Sequence, residues 1–293
     1  MIKYYSKDYN LDEWKNTDIL WATRNLLPYA VPNVVSASLS FFEKESSYSK
    51  KLSYAIKFVE ENIEGQSDIL GLSFVYSEVQ ALFFRSFFLA ASGFYKEAIF
   101  NLRSALEMSL FYSSEFSDNE SVTGVEEIVK HLMNRRKKIA SWLNSERPTP
   151  NKREFFKNFR KRESIADLLD KTGFCKDLDK LSAHLNSFVH TQGYEFTNLR
   201  MHGNQAGLTM PPDFNHRLAE NVQKLFIDTV ELVGILMVAT KPQLLDEEFA
   251  ANIFESFLEV PNGLWGRSAE NFFNLIDTSY QNYFRPLWIR LPE

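Results

Sequence analysis

The sequence predicts an all-α protein, built as a helical bundle with additional helices at its C-terminal end. Apolar residues recur at helical spacing through most of the chain, and strand patterns are nearly absent. The 11 Gly and 10 Pro among 293 residues are clustered at a few breaks. We expect residues 1–240 to form the bundle and residues 241–293 to form a C-terminal helical extension, either separate or part of the same domain.

The first predicted elements build the core. Residues 46–64 form an amphipathic helix that ends before Gly65. Residues 69–91 are apolar almost all round, which is typical of a central buried helix, and residues 94–116 form a second apolar helix. We expect Gly93 to turn the chain so that the two helices form an antiparallel hairpin, because a single rod of roughly 70 Å would not suit a compact domain.

The later elements are shorter and more polar. Val125–Leu143 is predicted to be a helix with a basic second half. The stretch 191–212 is the longest irregular segment, with a short hairpin expected around 194–200, and Asp213 is the expected cap of a long helix that ends at 239. The remaining predicted helices are 152–161, 164–171, 176–190, 245–258 and about 268–283.

Several classes of protein are excluded by what the sequence lacks. One cysteine, Cys175, allows no disulfide framework, and we interpret it as a buried, inert thiol of a cytoplasmic protein. Residues 1–9 lack the apolar stretch of a signal peptide, and the longest apolar run, 232–239, is far shorter than the roughly 20 residues of a membrane span. No phosphate loop, dinucleotide fingerprint or zinc helix is present, so we expect no cofactor and no metal.

Charge is distributed unevenly along the chain. Residues 130–162 contain twelve Lys or Arg and two Glu, a net +10 in a chain whose net charge is −5. This excess predicts a surface that binds RNA or another polyanion, with interspersed aromatic rings available to stack on bases. The alternative is a solvated face whose aromatic residues belong to the core. The candidate binding residues are Arg135, Arg136, Lys137, Lys138, Lys152, Arg153, Arg160, Lys161 and Arg162, and the aromatic residues are Trp142, Phe155, Phe156 and Phe159.

Four charged residues interrupt the apolar hairpin. Glu78 and Arg85 lie on one stripe of the first helix, and Arg103 and Glu107 lie four apart on the second. If Gly93 turns the chain, Glu78 is level with Glu107 and Arg85 is near Arg103, so we expect one largely buried cluster. Burying unpaired charge is costly, which favours an ion-pair network that fixes the helix register. A catalytic or ligand-binding role is the alternative.

His190 is the candidate acid–base residue. It lies in the last turn of the helix 176–190, where the helix C-terminus stabilises a protonated histidine. One interpretation is a histidine that simply ends the helix. The other is a general acid–base group facing a cleft edged by residues 191–212.

Two motifs resemble the HEPN and abortive-infection proteins of bacteria. They are Gly93-x4-Ala98-x3-Leu102-Arg103-x2-Leu106-Glu107 and Leu181-Ser182-x6-Val189-His190, and the resemblance covers about residues 69–190. It implies a four-helix-type unit that commonly dimerises, with members that bind RNA or nucleotide and others that are metal-independent ribonucleases in toxins and antiviral defence.

The catalytic signature of that family is an Arg and a following His that are separated by four to six residues. The positions five to seven before His190 hold Leu185, His184 and Ala183, so this signature is not present and the cation would come from Arg103 or Arg85 on another helix. The candidate catalytic set that the resemblance implies is therefore His190, Arg103 and Glu107.

The sequence leaves two main functional hypotheses and a third. The first is a HEPN-like protein that binds RNA or another polyanion in phage defence, as a ribonuclease if it is an enzyme. The second is a non-enzymatic interaction or regulatory protein that acts through a homodimer or partner interface, with the C-terminal segment 262–293 as the contact surface. The third is a small-ligand sensor with a pocket between helices.

Overall fold

The computed structural model describes six helices and one β-hairpin. The described residues are 48–63, 74–116, 125–146, 169–189, 199–202, 205–208 and 215–240, together with positions 34, 35, 37, 38, 41, 154, 155, 157 and 271. In chain order the elements are α1 (Ser49–Asn62), α2 (Phe74–Ala91), α3 (Tyr95–Phe116), α4 (Val125–Leu143), α5 (Phe174–Val189), β1 (Leu199–His202), β2 (Gln205–Leu208) and α6 (His216–Thr240). The all-α prediction is confirmed, since helices make up nearly all of these residues.

Helices α2 and α3 form the predicted antiparallel hairpin. Gly93 adopts a positive φ of 83° and donates its N–H to the carbonyl of Ala90, and Phe94 donates to the carbonyl of Leu89 at 2.8 Å. These two bonds satisfy carbonyls that the end of α2 would leave without partners. A positive φ is unfavourable for residues with a Cβ, which explains why glycine occupies this turn.

Helix α6 lies at the centre of the bundle. It packs against α1, α2, α3 and α5, while α3 also packs against α5. Nearly every side chain from 225 to 237 is buried, Asp228 excepted, so this helix is surrounded on most sides. Phe83 of α2 meets Phe226 of α6 edge to face at 5.5 Å and links the hairpin to this central helix.

The start of α6 differs from the prediction. The helix begins at His216, and its cap is Asn215, whose side-chain oxygen accepts a hydrogen bond from the N–H of Leu218 at 3.2 Å. Asp213 was the expected cap, but Asn is an equally good capping residue and lies two positions closer to the apolar face. Among the described residues, no helix is long and apolar enough to cross a membrane.

The segment between α5 and α6 contains a small antiparallel hairpin. Leu199 pairs with Leu208 and His202 pairs with Gln205, so two residues, 203 and 204, connect the strands. A hairpin was expected a few residues earlier, around 194–200. The hydrogen-bonded register places it instead where Gly203-Asn204 supplies the residue types that two-residue turns favour.

Candidate functional site

The four charges of the α2–α3 hairpin form two separate ion pairs, each within one helix. Arg85 binds Glu78 at 2.8 Å along α2, and Arg103 binds Glu107 at 2.8 Å along α3. The side chains are between 31% and 57% exposed. The predicted buried cluster is therefore wrong, since these described residues form no ion pair from one helix to the other.

The positions of the buried neighbours explain this correction. On α2 the residues that follow each charge, Val79 and Ser86, are fully buried. Consecutive residues point about 100° apart around a helix, so Glu78 and Arg85 lie at the edge of the buried face and reach water. Staying hydrated avoids the large cost of burying charge. In the candidate catalytic set, Arg103 and Glu107 thus bind each other at the surface, and His190 lies outside the described residues.

A groove lies between the first and middle turns of α5 and the middle of α6. Its volume is about 250 Å³, and its apolar walls are Leu181, Leu225 and Leu232. Sequence reasoning did not find this groove, although the third hypothesis placed a pocket between helices. Its polar lining is Asp177, Lys180, His184, Lys224, Asp228 and Glu231.

Ion pairs dominate the groove. Lys180 binds Asp177 at 3.2 Å, and Lys224 binds Asp228 at 2.9 Å. Burial acts to lower the pKa of Lys224, but the hydrogen bond to Asp228 and the charges nearby outweigh it, so this pKa lies above its ordinary value of 10.5. A lysine that acts as a base or nucleophile needs a lowered pKa, so the direction of this shift does not support Lys224 in such a role.

His184 is the histidine that the structure places in this groove. Its ring stacks on Phe188 at 5.5 Å with an interplanar angle of 23°, and it lines the groove from α5. Asp177 and His184 are seven residues apart and therefore share a helix face, a signal that the sequence contained. Within the described residues, no group of three or more His, Cys, Asp or Glu side chains is arranged to hold a metal ion.

The basic helix α4 presents its cations to solvent. Lys130, Arg136, Lys137 and Lys138 are all exposed. Across the described part of the chain, Lys130, Arg136 and Lys137 form no ion pair. The helix is held to the bundle at its C-terminal half, where Ile139 is buried. Arg135 lies on the same helix, and Lys152, Arg153, Arg160, Lys161 and Arg162 lie outside the described residues.

The aromatic residues of the basic segment belong to the core where the structure describes them. Trp142 stacks on Phe111 with ring centroids 4.4 Å apart, and Phe155 is 1% exposed. The hypothesis that Phe155 stacks on bases is therefore wrong, and Trp142, which is half-buried, has Phe111 stacked on it. Phe156 and Phe159 lie outside the described residues.

Cys175 is half-buried, not fully buried as predicted, and its thiol donates to the carboxylate of Asp170 at 3.3 Å. The predicted dimer segment 262–293 lies outside the described residues except for Asn271.

Comparison with known proteins gave no match, whether with protein-family models, curated proteins or solved structures. The resemblance to HEPN proteins stays a prediction from its two motifs.

Proposed function

We propose that this protein binds single-stranded RNA on the outward face of α4. The observation that carries the proposal is the set of three exposed cations, Lys130, Arg136 and Lys137, that form no ion pair in the described part of the chain. The chain as a whole has a net charge of −5, so a face of unneutralised cations is not a general property of its surface. Cations of this kind bind phosphates and release counterions.

The spacing on α4 suits a backbone that runs along the helix. Lys130 and Lys137 are seven residues apart, which places them on one face about 10 Å apart along the axis. Arg136 adds a planar guanidinium, which binds phosphate through two parallel hydrogen bonds. Lys130 and Lys137 therefore form a row of phosphate ligands, and Arg136, about 100° around the helix from Lys137, lies at the edge of the same exposed face.

Exposed apolar side chains between the cations favour a nucleic acid over a simple polyanion. Met133 is 42% exposed and lies between Lys130 and Lys137 on their side of α4, and Val129 is 51% exposed and lies on the side of Arg136. Unstacked bases of a single strand offer apolar faces for such contacts, whereas paired bases in a duplex do not. This mixture supports single-stranded RNA as the ligand.

The geometry supports binding more strongly than catalysis. Arg103 already donates to Glu107, and this pair holds the guanidinium at the surface of α3. If the HEPN resemblance extends to function, the same RNA contact belongs to phage defence, and His190 with Arg103 would be the cleaving pair. RNA binding on α4 does not depend on that cleavage.

The test removes the three cations and measures affinity for a fluorescent single-stranded RNA by anisotropy. We expect Lys130→Gln, Arg136→Gln and Lys137→Gln together to weaken binding about tenfold or more and to reduce the slope of log affinity against log salt by about 2. The matched control is Lys57→Gln, Lys176→Gln and Arg217→Gln, which removes three exposed cations from α1, α5 and α6. The control should bind as the wild type does.

Competition identifies the ligand class. Unlabelled single-stranded RNA should displace the labelled strand far better than duplex RNA or inorganic polyphosphate. Equal displacement by polyphosphate would replace this proposal with a general polyanion-binding surface. Equal affinity of the wild type and the α4 variant would contradict the proposal directly.

A further inference from the structure

We infer that the outward face of α2 is the interface of a twofold homodimer. Phe88 on this face is 66% exposed, more than any other large apolar side chain that the structure describes. Its ring packs edge to face on Phe87 at 5.9 Å, and Phe87 packs in turn on Phe226 of the central helix. Phe88 thus lies on a helix that is anchored to the core through Phe87, and its exposed ring is the centre of the interface that we infer.

The residues along this face are ordered by size. Ser77, Ala81, Phe84 and Phe88 are spaced four, three and four apart, so they lie on one stripe of α2. The two small residues lie toward the start of the helix and the two large ones toward its end. An antiparallel pairing of two α2 helices would place Phe84 of one copy against Ala81 of the other, and Phe88 against Ser77. The stripe is therefore complementary to itself.

Charge on the face is complementary in the same sense. Glu78 and Arg85 border the stripe on one side, seven residues apart and with opposite sign. The antiparallel pairing brings Arg85 of each copy near Glu78 of the other, so each copy offers the other an ion pair. The charges of Glu78 and Arg85 cancel within each copy, so these residues do not make two copies repel each other.

The adjoining helix also carries an exposed aromatic ring. Phe100 of α3 is 38% exposed, and the ammonium group of Lys96 lies over its ring at 5.9 Å. Phe100 lies seven residues after Gly93, and Phe88 lies five residues before it, so the hairpin brings the two rings to nearly the same level. A second copy of this chain fits the face better than RNA does, because the cation of Arg85 is already neutralised by Glu78.

The first test is the mass of the full chain by light scattering over a range of concentrations. We expect a dimer, and we expect Phe88→Glu to raise its dissociation constant about tenfold or more, because it places two carboxylates in an apolar contact. Met133→Glu changes an exposed apolar residue of α4 and should leave the dimer unchanged. Circular dichroism of each variant checks that the fold is retained, which is expected because both side chains are exposed.

The second test shows whether the charges pair between copies. Glu78→Arg alone and Arg85→Glu alone each place like charges across the interface, so each variant should dimerise poorly. Mixing the two should restore a heterodimer, since one copy then carries two cations and the other two carboxylates.

Three results would overturn the inference: a wild-type monomer at all concentrations, an unchanged dimer in Phe88→Glu, or a mixture that stays monomeric. A dimer that is lost on deletion of residues 262–293 but retained in Phe88→Glu would assign the interface to that segment instead. None of these outcomes bears on RNA binding by α4, because the two faces share no residue.

Discussion

The backbone N–H of Asn215 donates a hydrogen bond to the hydroxyl of Tyr95 at 3.2 Å, across 120 positions of sequence. Tyr95 is the first residue of α3, and Asn215 caps α6, so this bond joins the starts of the two helices that contribute more buried apolar residues than any other described helix. It satisfies a backbone donor at a part-buried position, where an unsatisfied group would be costly.

Removing the cap should loosen the start of α6. We expect Asn215→Ala to lower the free energy of unfolding by about 1 kcal/mol, because the N–H of Leu218 loses its acceptor. Tyr95→Phe should instead speed hydrogen exchange at the amide of residue 215 while leaving that of residue 218 slow. Amide hydrogen exchange measured by NMR distinguishes the effects of the two variants. Fast exchange along all of α6 in either variant would show that the cap stabilises the whole helix and not only its first turn.

The edge-to-face pair of Phe83 and Phe226 should contribute strongly to stability. Phe83 is fully buried, so we expect Phe83→Ala to lower the free energy of unfolding by about 3–5 kcal/mol through lost contacts and a cavity. Phe88→Ala on the same helix serves as the control, since its ring is largely exposed. Urea unfolding at a low protein concentration measures both, and similar losses would mean that the hairpin packs differently on α6.

The turn residues Gly93 and Ser145 should respond in opposite ways to substitution. Gly93 has a φ of 83° and Ser145 a φ of 60°, and both follow the end of a helix. Gly93→Ala should destabilise the protein by about 1–2 kcal/mol, because a Cβ is unfavourable at positive φ. Ser145→Gly relieves the same strain and should raise the melting temperature slightly. A melting temperature unchanged by Gly93→Ala would mean that the turn does not require glycine.

The contribution of Lys224 to the free energy of unfolding should depend on pH in the alkaline range. Its pKa in the folded protein lies above 10.5, so folding favours the protonated form. This stabilisation is complete at a pH below the pKa of Lys224 in the unfolded chain. It is lost as the pH rises through the pKa of Lys224 in the folded protein. Lys224→Met should therefore be less stable than the wild type by a constant amount near neutral pH, with a gap that narrows above pH 10.5.

Lys180→Met is the matched control for this titration. In the wild type, Lys180 forms an ion pair with Asp177 in the same groove. The side chain of Lys180 is 67% exposed, whereas that of Lys224 is 49% exposed. Exposed pairs contribute little to stability, so we expect a smaller loss at neutral pH. A gap for Lys224→Met that widens at high pH would contradict the assigned direction of its pKa.

The surface pair of Arg103 and Glu107 should matter little for folding. Because both groups reach water, Glu107→Gln should change the free energy of unfolding by about 0.5 kcal/mol or less. A buried network would cost several times more when one partner is removed. A large loss in chemical unfolding would therefore restore the buried-cluster hypothesis.

The predictions from sequence were accurate where a local signal determines the structure. Gly93 marked the turn of the hairpin because glycine is favoured at positive φ, and α4 has the predicted bounds because its apolar period and the following break are local. The exposed side of α2 was not predictable in this way. That helix is apolar nearly all round, so periodicity cannot show that Phe88 faces solvent.

The groove beside His184 depends on contacts between distant segments. Asp177 and Lys224 lie 47 positions apart, and only the packing of α5 on α6 brings them to one cavity. The same limit applied to Trp142, whose neighbouring charges suggested a nucleic-acid surface. Its stacking partner, Phe111, lies on another helix, and no local pattern predicts that contact.

The central claim is that RNA binds the outward face of α4. Its most direct test is ultraviolet crosslinking of the full chain to RNA in cell lysate, followed by mass spectrometry of the crosslinked peptides. We predict crosslinks within residues 125–146, with their yield lost in the variant that replaces Lys130, Arg136 and Lys137 by Gln. Recovery of no RNA, or of crosslinks confined to α1, α2, α5 or α6, would contradict the claim.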